Sequence, residues 1–394
     1  MSRFMGFTRY SINPDKASSA VDLWLLNSVL IIIVLGLVMV ASASISSADR
    51  IYADPFYFLS RQGFYLAIGL GLASVVWRVP LVTWNALAPI LLLAGIILLA
   101  LLLVPGLGHS ANGSTRWFSI AGFSIQISEL VKLWIIIYLA SYIARRGELI
   151  QKTFRGFFIP MLIVGVIAAL LLAEPDFGAA AVIGMTALCM LLLAGVKLRH
   201  FILLSVMVVA SFVVLAITTP YRMQRLTSFL DPWADPFNSG FQLSQALIAF
   251  GRGEWLGVGL GSSIQKLFYL PEAHTDFLFA VLAEELGFIA VVSVILLFAV
   301  FAWRSFVIGK IALQREKVFA AFIAFGIGFW LVLQAYINVG VNMGVLPTKG
   351  LTLPLMSYGG SSVIVSCIAV ALVLRVDYEN RFDAQKSTKR SRRK

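Results

Sequence analysis

Apolar runs of roughly 20 residues recur along the whole chain, and this pattern limits the possible folds more than any other feature. A helix of about 20 apolar residues is long enough to cross a bilayer. Soluble domains carry about 25% charged residues, whereas this chain is 13% charged and 60% hydrophobic. A transmembrane β-barrel would instead show short segments of alternating polarity. The sequence therefore predicts an all-α polytopic membrane protein.

We expect about ten transmembrane helices. Their predicted bounds are 22–43, 58–77, 83–104, 125–144, 157–173, 177–195, 200–218, 276–303, 318–340 and 354–375. One large extracytoplasmic loop, residues 219–275, separates the seventh helix from the eighth. The chain accordingly divides into an N-terminal segment (1–21), a ten-helix membrane domain (22–375) and a basic tail (376–394). We expect the end of this tail, KSTKRSRRK (386–394), to be solvated and disordered on anionic lipid.

Basic residues are unequally divided between the two sides of the predicted bundle. The termini and the loops on their side hold 22 of the 31 lysines and arginines. Cytoplasmic loops carry an excess of these residues, so both termini are predicted to be cytoplasmic and the 219–275 loop to lie outside. Spread in this way, the net charge of +12 serves orientation and contact with anionic lipid, and we do not expect nucleic-acid binding.

Nine basic residues fall on the outer side, against the same rule, and we expect some of them to have a function. They are Arg50, Arg61, Arg116, Lys132, Arg222, Arg225, Arg252, Lys266 and Lys349.

Two pairs of ionisable residues lie within or between predicted spans, where such groups are costly and suggest function. Glu129 and Lys132 are three residues apart near the outer end of the fourth span, so on a helix they share a face and are close enough to pair. The pair either joins helices or lines a polar cavity. Glu174 and Asp176 flank Pro175, either as a polar turn or as two carboxylates for a proton or a cation.

Asp276 stands where the eighth span begins, at the outer boundary between lipid and water. We expect Thr275 to cap this helix through its hydroxyl group and Asp276 to lie in the first turn. The helix N-terminus favours a carboxylate there, while apolar neighbours disfavour it. Asp276 either stabilises the helix end or takes part in chemistry. The nearby His274 suggests a hydrolase triad, but adjacency in sequence does not supply the geometry of one.

Glycines are concentrated in two outer segments. The segment GRGEWLGVGLGSS (251–263) lacks the strand–turn–helix context of a nucleotide site, and we interpret its glycines as turns and close backbone approaches. The segment GVLPTKGLTLPLMSYGGSS (344–362) breaks regular structure where the tenth span should begin. Such backbone is tolerated at membrane depth when it lines a cavity or packs within protein. Lys349 within it could neutralise an anion, or the segment forms a re-entrant loop that only packs.

Five motifs together resemble those of the SEDS family (shape, elongation, division and sporulation) of integral-membrane peptidoglycan glycosyltransferases. They are SELVK (128–132), EPDFG (174–178), YRMQRLTSFLDPW (221–233), GVGLGSSIQKLFYLPEAHTDF (257–277) and LPLMSYGGSS (353–362). The resemblance extends from the first predicted span to the tenth, and its outer segments are similar to the division branch rather than the elongation branch. Gln126-Ile127 stands where relatives have glutamine-proline, and EPDFG where many have QPDLG.

The resemblance implies that lipid II is polymerised into glycan strands on the outer face of the cytoplasmic (inner) membrane during septal wall synthesis. A sugar 4-hydroxyl would attack the anomeric carbon of the chain held by another lipid, with inversion. The loop aspartate of the family falls on Asp276, which would be the general base. The leaving diphosphate needs cations to take up its developing charge. The implied substrate-binding candidates are Glu129, Lys132, Asp176, Arg222, Arg252, Lys266, Glu272, His274, Lys349 and Ser361.

The resemblance also implies partners. They are lipid II, a class B penicillin-binding protein of the FtsI type, and other divisome membrane proteins of the FtsQ, FtsL, FtsB and FtsN types at the division septum. A divalent cation, Mg²⁺ or Mn²⁺, is an alternative to the basic side chains at the diphosphate, and no organic cofactor is expected.

Two other functions stay open at the level of sequence. A lipid II flippase would use Glu129 and Lys132 for passage, although the polar groups gather at the outer half of the membrane rather than through its depth. A scaffold that recruits a division transpeptidase would not need Asp276.

Overall fold

In the described residues, ten long helices stand at the positions of the ten predicted spans. Their bounds are α1 (Leu23–Tyr52), α2 (Tyr57–Arg78), α3 (Leu81–Leu102), α4 (Ile127–Lys152), α5 (Phe154–Ala173), α6 (Phe177–Leu193), α7 (Leu198–Ile217), α9 (Leu278–Gln314), α10 (Val318–Asn342) and α11 (Gly360–Ser391), with the shorter α8 (Phe241–Gly253) in the large loop. The computed structural model describes residues 21–106, 108–111, 114–120, 123–217, 228–238, 240–347 and 350–391. Within these ranges, eight helices are long and apolar enough to cross a membrane. The predicted polytopic all-α fold is confirmed.

Several helices begin at a polar side chain that caps them. Asp22 caps α1, Thr153 caps α5 and Asp176 caps α6. Each side-chain oxygen accepts a backbone N–H of the first turn, at 3.0, 3.2 and 3.1 Å respectively. The first-turn N–H groups of a helix have no partner within the helix, so these caps define where the apolar segments start.

Helices α4 and α10 form the centre of the bundle, and most of their residues are buried. Small residues let the central helices approach closely. Gly326 of α10 packs on Ile136 of α4 and Met190 of α6, and Gly328 packs on Ser305 of α9. The outer helices α2 and α3 keep most of their apolar surface exposed, as helices in contact with lipid do.

A three-stranded antiparallel sheet that was not predicted precedes α4. It consists of β1 (His109–Ala111), β2 (Ser114–Ile120) and β3 (Phe123–Gln126), in the order β1-β2-β3. The fourth span therefore begins at Ile127, two residues later than predicted. The β-branched and aromatic residues of STRWFSI suit a strand, but the stretch is too short to stand out between long apolar runs.

The last helix differs from the prediction at both ends. It begins at Gly360 rather than 354, because Pro354 and the residues after it form turns. It continues to Ser391, past the predicted boundary at 375. Asp377 and Asn380 are buried, and Asn380 Nδ2 donates to the carbonyl of Ile308 at 3.2 Å. The predicted tail therefore begins as a buried continuation of α11, because these polar groups have partners within the bundle. The disorder expected from residue 386 is wrong as far as Ser391, where the helix ends.

Candidate active site

Asp276 lies two residues before α9, which begins at Leu278, and not in the first turn of that helix as predicted. Its carbonyl accepts hydrogen bonds from Asn338 Nδ2 at 2.8 Å and Asn342 Nδ2 at 3.0 Å, both on α10. The side chain is half-buried and lies against the backbone of Gly350, where an added Cβ would stand 2.8 Å from Asp276 Oδ2. The main chain of Asp276 is therefore fixed, and its carboxylate faces the segment that precedes α11.

Thr275 does not cap α9, contrary to the prediction. Its hydroxyl group donates to Glu272 Oε2 at 2.7 Å and contacts the Glu272 carbonyl at 3.2 Å. Glu272 has a left-handed backbone (φ 59°), and its carbonyl also accepts from Phe277 N at 3.2 Å. The chain therefore enters α9 through a tight turn, and the hydroxyl group of Thr275 is bonded within this turn instead of to the helix. Glu272 and Thr275 shape the turn that presents Asp276.

His274 joins the loop to two other elements. Its ring lies 4.3 Å from the ring of Phe58 on α2 and 5.5 Å from the ring of Tyr358, measured between centroids. Its carbonyl accepts from Tyr358 N at 2.9 Å. Burial lowers the pKa of His274, while the nearby Glu272 opposes this effect. The imidazole thus packs against two aromatic rings, and the carbonyl of the same residue ties the loop to the segment before α11.

Three buried amides on one face of α10, which the sequence analysis missed, organise this region. Gln334, Asn338 and Asn342 follow each other at intervals of four residues. Besides the bonds to Asp276, Asn338 Nδ2 donates to the carbonyl of Leu351 at 2.6 Å, and Gln334 Nε2 donates to that of Thr352 at 3.0 Å. The row thus holds the segment after Gly350 and the start of α9 on one helix. Amides spaced by four within an apolar span were the available signal.

Glu129 and Lys132 pair as predicted. Lys132 Nζ lies 2.8 Å from Glu129 Oε1 and 2.7 Å from Gln334 Oε1, and 5.4 Å from the centroid of the Trp330 ring. Lys132 is 1% exposed. The ammonium group therefore extends the amide row of α10 across to α4, inside the bundle.

Arg252 and Lys266 are bound to two buried glutamates that the sequence analysis also missed. Arg252 Nη1 lies 2.8 Å from Glu284 Oε1, and Lys266 Nζ lies 2.7 Å from Glu285 Oε1. Both carboxylates are fully buried in α9. Backbone and hydroxyl groups of the loop at Ser263 and its neighbours also donate to them. Two adjacent glutamates within an apolar span could have indicated buried ion pairs at this position.

The glycine-rich loop packs on a break in α9 beside these glutamates. Val258 N donates to the carbonyl of Glu284 at 3.0 Å, and Phe288 N donates to that of Glu254 at 2.9 Å. Gly257 and Gly287 face each other here with φ values of 78° and 73°. A Cβ at Gly287 would lie 2.3 Å from Gly257 N. The interpretation of these glycines as turns and close backbone approaches is confirmed.

Asp176 and Ser361 each make contacts of their own, apart from the residues described above. Asp176 caps α6, and its Oδ2 is buried without a partner in the described part of the chain, as are both carboxylate oxygens of Glu174. Ser361 Oγ accepts from Gln126 N at 2.9 Å and thereby ties β3 to the start of α11. Arg222 and Lys349, two further candidates, lie outside the described residues.

The structure thus gathers the candidates into two groups. Glu272, His274 and Asp276 form the turn before α9, which rests on the amide row together with Glu129 and Lys132. Arg252 and Lys266 lie where the loop meets the break in α9.

Comparison with known proteins agrees with the resemblance drawn from the motifs. The FtsW/RodA/SpoVE family model, described as a cell cycle protein, matches residues 23–382. A relative from Thioalkalivibrio sulfidiphilus (strain HL-EbGR7), named probable peptidoglycan glycosyltransferase FtsW, is 58% identical over 92% of this chain and 91% of its own. A relative of the same name from Legionella pneumophila is 50% identical over 94% of each chain.

Two solved structures share the fold over almost their full length. A chain from work described as "Structural coordination of polymerization and crosslinking by a peptidoglycan synthase complex" is 31% identical, with a TM-score of 0.75, over 92% of this chain and 99% of its own. Thermus thermophilus RodA is 29% identical, with a TM-score of 0.67, over 93% and 99%. The higher identity to relatives named FtsW confirms the resemblance to the division branch. The chain belongs to the FtsW/RodA/SpoVE family of integral membrane proteins.

Proposed function

We propose that this protein is a peptidoglycan glycosyltransferase that polymerises lipid II on the outer face of the cytoplasmic membrane during cell division. The observation that carries the proposal is the placement of Asp276. Its main chain is held by two buried asparagines at the start of a membrane helix, and its half-buried carboxylate lies against Gly350. A base at this boundary suits a substrate with sugars in water and a tail in lipid. Close relatives are named for this activity.

In the proposed reaction, Asp276 is the general base. Its carboxylate takes the proton of the acceptor 4-hydroxyl as that oxygen forms a bond to the anomeric carbon of the donor. The bond from this carbon to the diphosphate breaks at the same time, and its electron pair leaves with the diphosphate. Attack opposite the leaving group inverts the anomeric configuration. The diphosphate departs without a proton, so one carboxylate suffices where glycosidases use two.

The leaving diphosphate requires positive charge. Lys132 and Lys266 are buried beside the carboxylates that they neutralise, so each would have to exchange partners to bind the substrate. The side chain of Arg252 is 37% exposed and has further N–H donors besides the one on Glu284. Arg222 and Lys349 stay on the proposed set of phosphate ligands.

A divalent cation is the other source of positive charge at the diphosphate. No group of three His, Cys, Asp or Glu side chains suited to a metal occurs among the described residues. These residues do not form a resident metal site, and we derive no step through a metal. In this proposal a Mg²⁺ or Mn²⁺ ion would arrive with the substrate's phosphates, which is common for Mg²⁺.

The partners follow from the same proposal. One solved relative belongs to a complex that polymerises and crosslinks peptidoglycan. We propose that this chain works with a crosslinking enzyme, a class B penicillin-binding protein of the FtsI type, and with FtsQ-, FtsL-, FtsB- and FtsN-type proteins at the septum. A scaffold role is compatible with catalysis. A flippase is less well supported, because Glu129 and Lys132 are sealed within the bundle.

Proteoliposomes that contain lipid II separate the enzyme from the flippase. We expect purified protein with its cognate transpeptidase and a divalent cation to form glycan polymer, resolved on a gel. Movement of fluorescent lipid II between leaflets is measured in the same vesicles. Translocation without polymer would reject the glycosyltransferase in favour of the flippase. Neither product, with the transpeptidase bound, would favour the scaffold.

A further inference from the structure

A groove opens on the surface of the bundle between α1 and the start of α2, and loop residues 260–267 close one side of it. It encloses about 610 Å³. Its wall is mostly aliphatic and includes Val38, Ile45 and Leu260, which are 40%, 38% and 56% exposed. Because α1 is a candidate membrane span, this wall meets lipid, and it suits an apolar chain better than a water-soluble ligand.

Two exposed arginines stand beside the outer end of the groove. Arg50 follows Ser46, a lining residue, by one helical turn, and its guanidinium lies 4.7 Å from the ring centroid of Phe268. Arg61 is one turn past Tyr57, with its guanidinium 4.8 Å from that ring, and Leu59 between them lines the groove. The aromatic rings fix the two guanidinium groups at the level where the chain leaves the predicted membrane.

These arginines differ from the other outer cations of the described chain. Lys132, Arg252 and Lys266 are paired with carboxylates, and Arg116 donates to the carbonyls of Glu174 and Pro175. No described salt bridge involves Arg50 or Arg61. Exposed guanidinium groups that lack a carboxylate partner, on the side where basic residues are few, match a phosphate group, which arginine binds with two donors.

The groove also adjoins the candidate active site. The ring of Phe58 lies 4.3 Å from that of His274 and 5.0 Å from that of Tyr358. The positive charge of Arg61 lies near the side chain of Tyr358, and Tyr358 N donates to the His274 carbonyl. His274 is two residues from Asp276, so a phosphate at Arg61 would stand next to the turn that carries the proposed base.

We propose that this groove binds one polyprenyl diphosphate lipid, with its chain along α1 and its phosphates on Arg50 and Arg61. The proposal rests on the proposed function and deepens it, because it places one of the two lipid substrates. A phospholipid of the surrounding membrane shares the chain and a single phosphate. The position beside Asp276 and the presence of two guanidinium groups favour the diphosphate substrate.

Binding of a radiolabelled polyprenyl diphosphate to the full-length protein in phosphatidylcholine nanodiscs tests this inference. Ala41→Trp would fill the groove, and a double Arg50→Gln, Arg61→Gln variant would remove its charges. Ile31→Trp and Arg78→Gln are the matched controls, since both residues are exposed and lie outside the groove. Each variant is first shown to unfold at the temperature of the wild type, and polymer formation is measured separately.

We expect both groove variants to lower the affinity at least about tenfold, a difference of roughly 1.4 kcal/mol, while the controls bind as the wild type does. Equal binding by all variants would overturn the inference. Competition by phosphatidylglycerol as strong as that by unlabelled diphosphate lipid would also overturn it, since the groove would then be a general phospholipid site. Groove-dependent binding in a wild type that makes no polymer would support the groove and reject the proposed function. If the wild type makes polymer but the groove variants bind the lipid as well as it does, the proposed function is supported and the groove is rejected.

Discussion

The side chain of Lys266 is held in place by the buried carboxylate of Glu285. The side chain is 4% exposed, its Nζ lies 2.7 Å from Glu285 Oε1, and Ser42 Oγ on α1 contacts both partners. Removing one partner of a buried ion pair leaves the other charge uncompensated, and this costs more than the pair contributes. The Lys266–Glu285 pair therefore attaches the outer loop to α9 and α1 at the floor of the groove.

Lys266→Met should lower the free energy of unfolding by roughly 3–5 kcal/mol, because Glu285 would keep its charge without a counter-ion. Tryptophan fluorescence during denaturant unfolding in detergent would measure the change. The double variant Lys266→Met, Glu285→Gln should recover part of the loss. Lys152→Met is the control, since its pair with Glu148 is exposed and should not matter measurably. A Lys266→Met protein as stable as the control would contradict the buried pair.

The contacts of a single residue could be predicted only where its partner is a few positions away in the sequence. The Glu129–Lys132 pair follows from helical spacing, and it forms as expected. The prediction that Thr275 caps α9 was wrong, because its hydroxyl group donates to the carboxylate of Glu272, three residues earlier. The partners of Arg252 and Lys266 come from a helix that begins only after the loop ends, and no spacing rule connects them.

At the scale of elements, the break in α9 is the feature on which the loop depends. Gly287 has φ 73° and ψ −173°, a region that is nearly restricted to glycine. The break frees backbone groups on both sides of it, and the loop around Gly257 supplies their partners. The long helix therefore includes a docking place for the loop within its own length.

Gly287→Ala should destabilise the protein by at least about 1–3 kcal/mol from backbone strain, and by more because the new methyl group would clash with the main chain at Gly257. Gly165→Ala on α5 is the matched control, since a Cβ there meets no atom within 4 Å. Thermal unfolding of the two purified variants gives the comparison. Equal unfolding temperatures would mean that the backbone at Gly287 is not held in this conformation.

Elements are predictable from the sequence when their signal is local. The ten apolar runs correspond to ten helices, and most predicted helix ends lie within a few residues of the observed ends. The sheet before α4 was not predicted. A break in regular structure before α11 was expected, but its extent to Gly359 was not, since it depends on contacts such as that of Ser361 with β3. The buried start of the tail was missed for the same reason, because Asn380 finds its acceptor on α9.

At the scale of the whole molecule, orientation rests on the distribution of basic residues. The large loop, which holds Phe237, and the end of α4, which holds Glu148, are predicted to lie on opposite sides of the membrane. Both side chains are exposed in the structure. Chemical access to these two positions in intact cells therefore tests the predicted topology.

Single cysteines at 237 and 148 should react differently with a membrane-impermeant maleimide. We expect Phe237→Cys to be labelled on spheroplasts and Glu148→Cys only after permeabilisation. The background protein carries Cys189→Ala and Cys367→Ala, which removes the two native thiols. Labelling of Glu148→Cys on intact spheroplasts would contradict the orientation and would place Asp276 on the wrong side for the proposed chemistry.

The polymerisation rate of Asp276→Asn shows whether Asp276 removes the acceptor proton. The substitution keeps the size of the side chain and the main-chain bonds to Asn338 and Asn342, but it removes the base. Wild type and variant are compared with the same transpeptidase, lipid II and divalent cation, after equal unfolding temperatures and equal lipid binding have been shown. We predict a rate lower by about 10²–10⁴-fold. A variant that polymerises lipid II as fast as the wild type would mean that Asp276 is not the general base.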